Sequence, residues 1–173
     1  MTVPSRFRIA LAVLGVVAIG ALAFLAYGGV GHRGTPKAQL ALWVHDTGLA
    51  QSLGTLRGDN NGATEIVSGH RGTGAVHTIC GVLTADTATA MSYLPSPNTE
   101  LTQLLARAYQ LEYQAGTDCY SAGSHAALQV RSAHERAAGQ RLLDQAAALI
   151  TTQTGSTLST TTTTSGSGGG IFG

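Results

Sequence analysis

Charge is scarce in this chain: Asp, Glu, Lys and Arg make up 11% of it, and the formal net charge is +1. No basic stripe exists to neutralise phosphates, so nucleic acid is not an expected partner. Aromatic residues amount to 5%, which leaves Leu and Ala to fill any core. Period-2 alternation is absent from the middle of the chain, which is rich in Ala, Leu, Gln and Arg, and this argues against β-structure. There are two cysteines, Cys80 and Cys119. They form neither a CxxC redox pair nor a zinc-type cluster. Gly-x-Ser-x-Gly, a Walker loop and a Rossmann glycine pattern behind a strand are missing too. No familiar catalytic constellation remains, so no catalytic residue and no cofactor is expected.

What is present begins with a long apolar run. Ile9 to Tyr27 carries no charge and follows Arg6 and Arg8. About 20 apolar residues at 1.5 Å rise match the roughly 30 Å hydrocarbon core of a bilayer. Residues 9–27 are therefore expected to cross a membrane once, with residues 1–8 in the cytoplasm and the rest outside, an orientation set by the slight excess of flanking positive charge. A cysteine pair suits an oxidising compartment on that outer side. Ala21-Leu22-Ala23 also has the small-x-small form of a processing site, so secretion after signal-peptide cleavage is the alternative. The lipid bilayer is the partner this segment implies.

After a glycine-rich spacer at 28–34, residues 35–150 are of a size to fold as one domain. Thr35 with Pro36 reads as an N-cap followed by N1, and Leu42, Leu49, Leu53 and Leu56 lie at helical spacing, so the first helix is expected over 36–57. The cluster Gly58-Asp59-Asn60-Asn61-Gly62 then predicts a loop to about Gly74. A second helix is expected over 75–94, with Val76, Ile79, Cys80, Leu83, Thr87, Ala90 and Met91 on its stripe. Pro95 and Pro97 stop it, and Ser96 or Asn98 caps a third. The third helix has the clearest stripe, Leu101, Leu104, Leu105, Ala108, Leu111, Ala115 and Cys119, and ends at Gly123. Ser124 is expected to cap a fourth that runs to Ile150. The Thr, Ser and Gly of residues 151–173 are expected to be disordered. The fold class expected is all-α: an extracytoplasmic antiparallel four-helix bundle behind one N-terminal transmembrane helix.

Cys80 and Cys119 fall on the inner stripes of helices that the proline turn makes neighbours, so a structural disulfide between them is expected. Their distances from the turn differ by around 10 Å along an ideal hairpin. Pairing therefore requires helix tilt or an earlier end to the second helix. Six histidines are present, but no Glu-x-x-His pair or His-x-x-x-His pair occurs, so no metal site is assigned. The one polar cluster with ligand potential is His45 and Asp46 on the first helix meeting His134 and Glu135 on the fourth. Each is otherwise a surface or boundary residue. Glu112 and Asp118 read as a solvated face, and Tyr109, Tyr113 and Tyr120 as packing or an aromatic contact surface.

Cys80-Gly81-Val82-Leu83, Leu94-Pro95-Ser96-Pro97 leading to Leu101-Thr102-Gln103-Leu104-Leu105, and Ala115-Gly116-Thr117-Asp118-Cys119-Tyr120 together cover about a quarter of the chain. This pattern resembles a group of small uncharacterised actinobacterial envelope proteins. The resemblance implies a helical hairpin held by a disulfide and carries no activity. The function expected is a non-enzymatic structural or interaction module of the cell envelope with an envelope protein as partner. A ligand- or metal-binding bundle is the alternative, and a secreted enzyme without a recognisable motif is a further one.

Overall fold

A computed structural model describes residues 34–69, 72–123 and 125–158. The expected membrane span at 9–27, most of the spacer and residues 159–173 lie outside the described residues. Among the described residues the chain is all-helical, a bundle of five helices: α1 (Pro36–Asp46), α2 (Leu49–Ser68), α3 (Thr73–Met91), α4 (Thr99–Ala122) and α5 (Ala126–Thr154). None of these is long and apolar enough to cross a membrane.

The start of α1 follows the expected chemistry: Thr35 Oγ1 accepts from the Ala38 amide at 3.3 Å, and Pro36 occupies the first turn. The expected helix 36–57 is nevertheless two helices. Gly48 adopts φ 59°, in the left-handed region where glycine carries no Cβ penalty, and redirects the chain. Leu42, placed on the inner stripe by unbroken spacing, is consequently 61% exposed, and Leu40 is buried in its stead.

The expected loop from Gly58 onward is helix. Leu49, Leu53, Leu56, Asn60 and Ala63 are the buried residues of α2, spaced by four and three so that they form one stripe straight through the glycine cluster. Packing overrides the weak propensity of Gly, Asp and Asn. A Cβ at Gly62 would stand 3.2 Å from Ile79 Cδ1, so glycine here also lets α2 approach α3. Only the short 69–72 connection separates the two helices.

At the α3–α4 turn, Asn98 accepts from the Leu101 amide at 2.7 Å as the N-cap of α4. Helix α3 stops at Met91, before the expected Leu94, and the connection 92–98 runs along the first turn of α4, where Ser96 bonds Thr102. Counted from these helix ends, Cys80 is about 17 Å into α3 and Cys119 about 30 Å into α4 at 1.5 Å per residue. The connection takes up the difference. Cys80 and Cys119 are thus brought level and paired, with Cα atoms 5.7 Å apart.

Gly123, at φ 45°, closes α4 as expected. Helix α5 has His125 at its N-cap and runs to Thr154, past the expected limit at 150. Thr154 is 7% exposed and Leu158 packs on the core, so the first residues of the expected tail belong to the domain. Helices α2 and α3, α3 and α4, and α4 and α5 pack as consecutive neighbours. Helix α2 also touches α5, and α1 lies against both.

The interior is divided along its length. Leu40, Leu49, Leu53, Leu56, Leu83, Leu101, Leu105, Tyr109, Leu143 and Ile150 form a contiguous apolar cluster at the α1 end. Towards the 69–72 and 123–125 connections the buried positions are instead Asn60, Ala63, Cys80, Glu112, Ala115, Cys119, Ala122, Ser132 and Arg136. Small and polar side chains bury little apolar area. The disulfide spans this weaker half.

Candidate functional site

Each of the four long helices contributes a polar residue where the two halves meet. Helix α2 supplies Asp59 and Asn60, α3 supplies Asp86 facing Asp59, α4 supplies Glu112, and α5 supplies Arg136. Glu112 is 0% exposed, and Asn60 and Arg136 are 7% exposed. Room for the Glu112 carboxylate comes from α5: a Cβ on Gly139 would lie 2.6 Å from Oε1. Arg136 is aimed by its own helix. Its Nη1 donates to Ser132 Oγ at 2.8 Å, and Ser132 donates to the Ala115 carbonyl of α4 at 2.8 Å.

The layer is under-satisfied. Both carboxylate oxygens of Glu112, both amide atoms of Asn60, and Asp59 Oδ2 are buried without a hydrogen-bond partner among the described residues. Burial therefore dominates the Glu112 carboxyl, which is pushed from 4.5 up to about 7. Asp59 adds to the rise, while neighbouring Asn60 and Arg136 oppose it. Asp59 is likewise raised to about 7, first by burial and then by the charge of Asp86. Burial lowers the Arg136 pKa and Glu112 works against that, but a guanidinium stays protonated throughout the physiological range. Two carboxyls in the layer thus exchange protons near neutrality.

Above the layer lies a cavity of about 290 Å³, with Val67 of α2, Val76 of α3 and Ala122 of α4 on its walls and Arg136 and Ser132 of α5 at its inner side. Its origin is steric. The stripes at this level carry Ala, Cys, Ser and Gly, so the four helices leave space that Leu side chains fill in the other half. The result is a cleft partly open to solvent, lined by Thr73, His77, Gln129, Ser132 and Arg136 as well as by apolar side chains. Such a concave site with one fixed charge suits binding and orientation of a small molecule. No group of three or more His, Cys, Asp and Glu among the described residues is placed to hold a metal.

The residues expected to cluster fall in two places. His45 and Asp46 form a local pair at 3.0 Å on the end of α1, with side chains 86% and 72% exposed. Glu135 lies beside the Asp118–Arg131 ion pair, 4.0 Å from Arg131, and its neighbour His134 is exposed on α5. Helix α1 packs near the far end of α5, where Lys37 approaches Gly155, about twenty residues or roughly 30 Å along the helix from Glu135. Burial and the Asp118 charge raise the Glu135 pKa, and Arg131 lowers that of Asp118.

Glu112, expected with Asp118 on a solvated face, is instead a core residue. Its signal was positional: Ala108, Glu112, Ala115 and Cys119 share one stripe, as do Ser132, Arg136, Gly139 and Leu143 on α5. Of the tyrosines, Tyr109 is buried, Tyr113 is 42% exposed, and Tyr120 stacks on His77 at 4.4 Å. Compared with protein-family models, curated proteins and solved structures, the chain matches none.

Proposed function

We propose that this chain is a non-enzymatic module of the bacterial cell envelope, attached to the bilayer through residues 9–27. In this reading α2 to α5 form an extracytoplasmic antiparallel four-helix core that presents a surface to an envelope partner. The observation that carries it is the Cys80–Cys119 pairing at a Cα separation of 5.7 Å. A disulfide that stabilises the weaker half of the bundle persists only in an oxidising compartment, and the apolar run supplies the route there. Val82, Tyr113 and Tyr120, all at least 41% exposed on α3 and α4, offer apolar contacts to a partner.

Intact mass of the protein from the membrane fraction of its host, alkylated with and without prior reduction, tests this. Retention of residues 1–23, with two thiols alkylated only after reduction, is the expected result. A mass beginning near Phe24 replaces anchoring with secretion, and thiols free before reduction overturn the extracytoplasmic placement.

A second reading, a ligand-binding bundle, is favoured by the cavity between α2, α3, α4 and α5. Its centre is Arg136 rather than the four residues His45, Asp46, His134 and Glu135.

A further inference from the structure

We infer that the cavity is a binding site for a small organic acid, with the ligand carboxylate received by Arg136 and its apolar body held between Val67, Val76 and Ala122. The inference deepens the ligand-binding reading and rests on it.

The argument starts from an unbalanced charge. Arg136 is 7% exposed, and a buried guanidinium carries a heavy desolvation cost unless an anion meets it. All nine Asp and Glu residues of the chain lie among the described residues, and none closes an ion pair with Arg136 within 4.0 Å. Glu112 is the acid whose charge it feels, yet neither Glu112 oxygen accepts a hydrogen bond. One guanidinium nitrogen, Nη1, donates to Ser132 Oγ. The rest of the fork is available for the bidentate carboxylate recognition to which a planar guanidinium is suited.

Geometry then selects the ligand class. Arg136 and Ser132 both line the cavity, Arg136 also reaching the groove lined by Asn60, Gln140 and Asp144, and the bonds from Arg136 to Ser132 and from Ser132 to the α4 backbone hold the guanidinium before any ligand arrives. Such preorganisation lowers the ordering cost of binding. Val67, Val76, Cys119 and Ala122 form the apolar part of the remaining lining, and Thr73, His77 and Gln129 the polar part. A bare inorganic anion would leave those walls unused. At roughly 20–30 Å³ per non-hydrogen atom, guided by the ~30 Å³ share of a liquid water, the 290 Å³ volume accepts about ten to fourteen such atoms. A monocarboxylate with a short aliphatic or single-ring body fits both the charge and the walls.

The test uses the full chain in nanodiscs, with empty nanodiscs as blank, and equilibrium dialysis against phenylacetate, its neutral isostere phenylacetamide, and inorganic phosphate. Saturable phenylacetate binding, at least tenfold tighter than that of phenylacetamide or phosphate, is expected. Arg136→Gln should remove the preference between acid and amide, while Val76→Trp, which fills the cavity from its wall without altering charge, should abolish binding of both. The comparison among the three probes on the unaltered protein decides the matter even where Arg136→Gln does not fold. Equal binding of acid and amide overturns the anion class and leaves the ligand-binding reading standing. Tighter binding of phosphate overturns the organic body. Absence of saturable binding by all three at millimolar concentration overturns the ligand-binding reading with it, as does binding that survives Val76→Trp unchanged.

Discussion

Replacing Glu112 by glutamine should make the protein more resistant to unfolding at pH 8 than at pH 5, relative to the unaltered chain. Glu112 is fully buried and its carboxyl is held at about 7 against an ordinary value of 4.5. The folded state therefore keeps a proton that the unfolded state has already released, so stability falls as pH rises from about 4.5 through about 7. Integrating the linkage between pH 5 and pH 8 gives a loss of about 2–3 kcal/mol attributable to this one group. Glutamine keeps the shape and does not ionise, so the variant escapes that loss. Asp59, raised in the same direction, is present in both proteins, and because its charge also raises Glu112 the comparison reads the Glu112 titration together with its interaction with Asp59. Urea unfolding of each protein at the two pH values measures the gap between them, which should widen by about 2–3 kcal/mol on going to pH 8. By thermal melting this is roughly 10 °C at about 4 °C per kcal/mol. A gap that stays constant, or narrows as pH rises, would refute the placement of an ionisable Glu112 in a dry layer.

Reduction of the Cys80–Cys119 disulfide, or a double Cys→Ala replacement, reopens a loop closed across 39 residues of sequence separation. The chain-entropy estimate for such a loop is about 4 kcal/mol, and urea midpoints with and without reductant check it; an unchanged midpoint contradicts the disulfide's stabilising role. Two glycines on the helices should respond with opposite sign. Gly58→Ala, where a Cβ meets nothing within 4 Å, should stabilise by up to about 1 kcal/mol through helix propensity. Gly116→Ala should destabilise by about 1–2 kcal/mol after that gain, because its Cβ would lie 3.1 Å from the Cys80 carbonyl oxygen and the Thr84 amide nitrogen, backbone atoms that yield only if α3 moves away. Equal effects from the two substitutions would disprove the close α3–α4 approach.

What the sequence disclosed, and what it withheld, divides along physical lines. Asn98 as one of two candidate caps, the Leu101, Leu105, Ala108, Ala115 and Cys119 positions of the α4 stripe, and the Gly123 stop depend on local chemistry and were legible in the spacing. Gly58 to Gly62 misled because propensity is a weak local preference, whereas Leu56, Asn60 and Ala63 are buried by three other helices. The break at Gly48 had a signal, a glycine at a point where the stripe shifts from Leu40 to Leu49, but an unbroken 3.6-residue register through Leu42 masked it. Glu112 and Arg136 were invisible for a different reason: charged residues are read as surface because burying them is costly. Their positions on the inner stripes outweighed their chemistry. The cavity was beyond reach, since it follows from the small residues of four helices meeting at one level.

The magnitudes bear on why that level is polar and loosely filled. A domain of this size has a net stability of about 5–15 kcal/mol. By pH 8 the ionisation of Glu112 removes about 2–3 kcal/mol, and the disulfide returns about 4 kcal/mol to the same half of the bundle. A covalent link thus offsets a deficit that apolar packing could have avoided. A larger side chain at Ala122, on the cavity wall, would contribute about 0.8 kcal/mol per buried CH₂ and fill part of the space. An apolar residue in place of Glu112 would remove the ionisation loss altogether. The sequence does neither, and it holds Arg136 through Ser132 at the lining of the cavity. Local rules are broken together at this one place, while the capping, stripes and apolar packing elsewhere agree with one another, and it is on that contrast that the proposed ligand site rests.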